Sequence, residues 1–151
     1  MPSRRKQKQG RIGEHRIVAA YVRMEDAEDE QEQLQICKSK ARMLGLNNLA
    51  FYTDKGEFTK DAESSYSRLL NDIELKKVDI VMSADVQVIS RNIQDFLSFA
   101  KQLEDKNIKL ICCYEGVNTD DPYGTFMFHV ITLVIPEALA VSGMREWFTG
   151  Q

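Results

Sequence analysis

Arg16-Ile-Val-Ala-Ala-Tyr-Val-Arg23 is an unbroken apolar run closed at each end by an arginine. A run this short, without polar alternation, predicts a strand buried on both faces, as in a parallel sheet. Beyond it, Met24 to Gln33 is dense in acids, and Leu34, Cys37, Ala41 and Leu44 follow at helical spacing, with Gly45 as a stop. Leu49-Ala-Phe-Tyr-Thr53 predicts a second strand, Asp54-Lys55-Gly56 a turn, and a polar loop runs from there to about Ser65. Tyr66, Leu69, Leu70 and Ile73 form the apolar face of a second helix. Val78 to Met82 is a third strand, followed by a loop. A helix then runs from about Ile93 to Lys106, with Phe96, Phe99, Ala100 and Leu103 on one face. Ile108 to Tyr114 is the fourth strand. Glu115 to Gly124 is turn-rich, and Thr125 to about Val141 is apolar apart from His129, Thr132 and Glu137.

Strands alternating with helices predict an α/β domain with a mainly parallel sheet of four to five strands and helices on both faces. A chain of 151 residues with 43% hydrophobic and 28% charged residues suits one domain with a real core. No apolar run approaches the roughly 20 residues of a membrane span, and the basic, polar start is not a secretory signal, so a cytoplasmic protein is expected. Cys37, Cys112 and Cys113 are an odd count without framework spacing and read as reduced core thiols. Adjacent Cys112 and Cys113 should point to opposite faces of their strand. His129 has no partner histidine at metal spacing, so neither metal nor cofactor is expected. The net charge of −3 argues against a body coated with nucleic-acid contacts. Arg4, Arg5, Lys6, Lys8 and Arg11 are the exception: a basic arm, residues 1–15, either solvated or able to bind phosphates weakly and without sequence preference.

Four stretches, in order, resemble the catalytic domain of serine recombinases, the resolvases and invertases. Tyr21-Val22-Arg23 matches the family's Tyr-x-Arg-x-Ser, and Tyr52-Thr-Asp-Lys-Gly56 its Tyr-x-Asp-x-Gly. The stretch ending Ser90-Arg91-Asn92 is similar to the family's Leu-Asp-Arg-Leu-Ser-Arg-Asn. Glu115-Gly-Val-Asn-Thr-Asp-Asp-Pro-Tyr-Gly124 is similar to its Glu-Gly-x-(Asp/Asn)-Thr-x-x-Pro-x-Gly. The resemblance covers about residues 17 to 135. It implies a three-layer fold with a long apolar C-terminal helix, and a serine that attacks a DNA phosphodiester within a cluster of arginines.

The departures fall on the chemistry. Glu25 stands where the family has its serine, Gln87 and Val88 where it has Asp-Arg, and Glu63 where its Arg-Pro begins. Arg23, Arg91 and Asp54 match. A phosphate gaining charge in the transition state needs donors around it, and removing one commonly costs on the order of a hundredfold in rate. A carboxylate nucleophile would repel the phosphate and yield an acyl phosphate. Loss of catalysis is therefore expected, with Arg23 open to an ion pair and Asp54 to a turn role.

Residues 16–151 read as one resolvase-like unit without a separate DNA-binding domain. Phe126, Phe128, Val130, Ile131 and Val134 would make its last helix an oligomer contact, giving a dimer or tetramer, and Pro136 would end or kink that helix. The function expected is self-association or binding to a recombinase or another DNA-processing partner. The alternatives are an active recombinase fragment with a remote nucleophile, since no serine lies between Tyr21 and Cys37, and a receiver-like signalling domain using Glu25, Asp26 and Asp85.

Overall fold

The computed structural model describes residues 16–56, 63–90 and 92–119. Within them the order is β1 (Ile17–Met24), α1 (Ala27–Met43), β2 (Asn48–Lys55), α2 (Ser65–Glu74), β3 (Ile80–Ser83), α3 (Val86–Ile89), α4 (Ile93–Asp105), β4 (Lys109–Cys112) and β5 (Val117–Asn118). The described sheet has five strands in the order β2-β1-β3-β4-β5. Its first four strands are parallel, and β5 folds back antiparallel on β4.

Period-two geometry divides the core into two layers. Val18, Ala20, Ile80, Met82 and Ile111 meet Cys37 and Ala41 of α1 on one face. Ala19, Tyr21, Val81 and Leu110 meet Leu69 and Ile73 of α2 and Phe96, Phe99 and Leu103 of α4 on the other. The result is the three-layer arrangement expected, with β1 buried on both sides. Cys112 joins the second layer while Cys113 packs against the first, so the adjacent cysteines do face opposite ways. A chain of rings ties the second layer together. Tyr21 meets Tyr66 edge-on at 5.3 Å between centroids, and Tyr66 stacks on Phe99 at 6.2 Å.

Local chemistry sets the element ends. The Asp26 side chain accepts from the Asp29 amide at 2.8 Å, so α1 begins at Ala27 and the acidic stretch is its first turns, where carboxylates favour the helix dipole. Gly45, with φ of 71°, takes the left-handed position just beyond its C-cap, Leu44. Ser64 caps α2 and Asn92 caps α4. The loop expected after β3 contains the one-turn helix α3, capped by Asp85, which accepts from the Val88 amide at 2.9 Å. Gly116, with φ of 72°, lies between Glu115 and β5 in the turn that reverses the chain after β4. The N-terminal arm, Arg91 and the apolar C-terminal segment lie outside the described residues. No helix among the described residues is long and apolar enough to cross a membrane.

Candidate functional site

The chain leaves β1 through α1 on one face of the sheet and returns from β2 to β3 through α2 on the other. The C-terminal ends of β1 and β3 therefore bracket a topological switch point, where open α/β sheets form a crevice. A cleft of about 410 Å³ opens there. Arg23 and Glu25 enter from the end of β1, and Asp26, Asp29, Glu32, Gln33 and Ile36 from the start of α1. Ala84, Asp85, Gln87 and Val88 come from the segment after β3, and Tyr114 from beyond β4.

Arg23 is held by backbone. Its Nη2 donates to the Gln87 carbonyl at 2.7 Å and its Nε to the Val88 carbonyl at 3.4 Å, which ties the end of β1 to α3. The main chain of Arg23 is clasped as well. Its amide donates to Gln33 Oε1 at 3.3 Å, and Gln33 Nε2 donates to its carbonyl at 3.0 Å. Gln33 is 5% exposed, a buried amide satisfied by a strand end, as a buried polar group requires. Its place on the core-facing row of α1 with Cys37 and Ala41 was the available signal for this role. The Glu25 amide donates to Asp29 Oδ2 at 3.1 Å.

The cleft thus gathers Glu25, Asp26, Asp29, Glu32 and Asp85 around one guanidinium among the described residues. Glu115 lies just behind it. Its Oε2 accepts from the Val86 amide at 3.3 Å, while Oε1 is buried with no hydrogen-bond partner among the described residues. Burial, reinforced by the charge of nearby Asp85 and partly offset by the Val86 amide, pushes the Glu115 carboxyl up to about 7. Among the described residues no group of three or more His, Cys, Asp or Glu side chains could hold a metal ion.

The other matched positions fall elsewhere. Asp54 does not line the cleft: it accepts from the Tyr21 hydroxyl at 2.7 Å and from the Ser65 and Tyr66 amides at 2.8 Å each, bracketing β1, β2 and the start of α2. Glu63 is exposed and also does not line it. Arg91 cannot be placed, since it lies outside the described residues.

The arrangement is that of an open α/β domain with a strand-end cleft lined by five acids and one arginine among the described residues. The family model for the resolvase N-terminal domain matches residues 18–145, and the chain belongs to that family of serine recombinases. Its fold is similar to the N-terminal catalytic domain of TP901-1 integrase, at a TM-score of 0.66 and 28% identity over 82% of this chain and 95% of that one. A resolvase-family site-specific recombinase from Streptococcus pneumoniae shares the fold at a TM-score of 0.61 and 21% identity, over 86% and 94% of the two chains. No curated protein sequence matches it. Family membership replaces the receiver-like alternative, and the last described strand, antiparallel β5, agrees with that.

Proposed function

We propose that this serine-recombinase domain does not cut DNA and acts by association, with copies of itself or with a recombinase or other DNA-processing partner. The observation that carries this reading is the charge of the cleft. Five carboxyl side chains line it against Arg23, whose Nε and Nη2 bond to the Val88 and Gln87 carbonyls. Two like charges about 4 Å apart repel by about 4 kcal/mol at an effective dielectric of about 20, so a phosphodiester entering among several carboxylates is strongly opposed. Glu25 at the nucleophile position adds to that field and offers only an acyl-phosphate product.

Incubating the full chain with supercoiled plasmid and with nicked, recombination-type duplexes should give no protein–DNA adduct on a denaturing gel. An adduct lost on Glu25→Gln would overturn the reading and favour an active recombinase like the catalytic domains it resembles.

Association is assigned to Phe126, Phe128, Val130, Ile131 and Val134, whose apolar run exceeds what one sheet face can cover. Weak, salt-dependent DNA contact is assigned to Arg4, Arg5, Lys6, Lys8 and Arg11, which can release counterions without reading bases. Light scattering at micromolar concentration should give a mass at least twice the chain's 17.3 kDa. A mass that stays at the single-chain value as concentration rises would refute self-association and leave the partner reading.

A further inference from the structure

Hydrogen bonds zip the turn after β4 onto the chain that follows β3. The Cys113 amide donates to the Ser83 carbonyl at 3.0 Å, the Tyr114 amide to the Ala84 carbonyl at 2.8 Å, and the Val86 amide to Glu115 Oε2 at 3.3 Å. The first two extend the parallel pairing of β3 with β4, and the third joins the turn to α3 through a titratable side chain. Four residues are too few to stand as a helix on their own backbone bonds, so α3 is held from outside. Asp85 takes its Val88 amide, Glu115 its Val86 amide, and Arg23 the Gln87 and Val88 carbonyls. Asp85, Gln87 and Val88 line the cleft, so α3 is one of its walls. We propose that Glu115 is a proton-operated latch: protonated, it holds the turn after β4 against α3 and keeps that wall in place; ionised, it leaves its buried position and loosens α3 together with the grip of α3 on Arg23.

The surroundings of the carboxyl group favour its proton in the latched state. One oxygen has a single long bond from the Val86 amide, and the other is buried with no hydrogen-bond partner among the described residues. A buried carboxylate left half satisfied costs more than one such bond returns. The titratable groups that face it are Asp85, the residue before α3, and Cys112 and Cys113 at the end of β4. Burial pushes the Cys112 thiol well up, so it stays neutral, and Asp85 carries the opposing charge. With burial as the main cause, Glu115 rises to about 7 from an ordinary 4.5. An ionised Glu115 escapes that cost by turning towards water, where its neighbour Tyr114 already lies 82% exposed. The Val86 bond then breaks, and the Arg23 bonds, which need α3 in place, weaken with it. The distance between the two values bounds the change in the open-to-latched ratio at about a few hundredfold. The latch operates whether or not the cleft has any DNA chemistry.

The test is amide hydrogen exchange of the full chain across neutral pH, with rates corrected for the intrinsic effect of pH on exchange. The reporters are the amides of Val86, Val88 and Ser90, which bond to Glu115, Asp85 and the Val86 carbonyl. Their protection should fall by about tenfold or more as pH rises, with a midpoint near 7. Glu115→Gln can hold the Val86 amide through a neutral oxygen at every pH, so it should keep α3 protected on the alkaline side. Low urea separates a local opening from loosening of the whole domain. Above the midpoint the α3 rates should ignore urea, because little surface is exposed, whereas those of β1 should climb with it. Protection of α3 that does not change with pH would overturn the proposal, as would an equal fall in Glu115→Gln. Exchange of α3 that climbs with urea in step with β1 would refute the latch and leave only a loss of overall stability.

Discussion

Replacing Asp54 with alanine is expected to cost about 3–5 kcal/mol of stability, since hydrogen bonds to a charged group contribute about 1.5–3 kcal/mol each and neighbouring ones are not additive. Three donors converge on this carboxylate. Two are amides in the first turn of α2, which have no partner within the helix, and the third is the hydroxyl of Tyr21, a residue only 1% exposed. Without Asp54 the Tyr21 hydroxyl is left buried with its acceptor gone, and α2 loses a negative charge at its positive end. Urea melts should show a lower midpoint with an unchanged slope, and Asp54→Asn should fall between the two because it keeps an acceptor oxygen. A midpoint within experimental scatter of the natural chain would show that the bracket is not what holds β2 to α2. Since total stabilities are about 5–15 kcal/mol, Asp54→Ala should leave the domain only marginally folded.

Stability should also fall as pH rises through the range set by Glu115. Its carboxyl lies at about 7 in the folded chain, against an ordinary value of 4.5. Below 4.5 both folded and unfolded states hold the proton, and the group costs nothing. Between 4.5 and 7 the unfolded state releases its proton while the folded state keeps it, so stability drops. Above 7 both are ionised and the loss is complete, on the order of 2–3 kcal/mol once residual solvent exposure is allowed for. Other groups titrate over this range, so the clean quantity is the difference between the natural chain and Glu115→Gln. Glu115→Gln should gain stability relative to the natural chain from pH 4.5 to 7.5, by about that amount. A difference that stays flat across the range would show that Glu115 is open to solvent.

Strands β1, β3 and β4 were legible because burial on both faces leaves unbroken apolar runs, and β1 differs from its expected bounds by one residue at each end. The helices were legible where the apolar face recurs, as with Tyr66, Leu69 and Ile73 on α2. Helix α1 starts earlier than its apolar pattern because its first turns are stabilised by Asp26 and by acidic residues, which carry no hydrophobic signal. Helix α3 and strand β5 are too short for any periodicity. The cleft was half legible. Motif positions pointed to Arg23, Glu25, Gln87 and Val88, but Asp29, Glu32 and Tyr114 join them only through the packing of α1 and the turn after β4. Gln33 escaped notice because a polar residue in a helix ordinarily reads as exposed; Asp54 was singled out, but its part in bracketing the start of α2 was not, because the same aspartate suits a turn, an active site or a helix end equally well in sequence.

If the cleft's charge, and not merely the missing serine, opposes recombinase chemistry, restoring the serine alone should not bring that chemistry back. The most direct measurement sets Glu25→Ser beside the natural chain on the same nicked duplex and counts covalent protein–DNA adduct. Serine would supply a hydroxyl, but Asp26, Asp29, Glu32 and Asp85 would still line the cleft, beside Gln87 and Val88, where the sequence resemblance puts the family's Asp-Arg pair. The expected result is no adduct from either protein, with Glu25→Ser folded as judged by circular dichroism. A serine-linked adduct from Glu25→Ser would contradict the proposed inactivity, because it would show a cleft still able to receive and stabilise a phosphodiester.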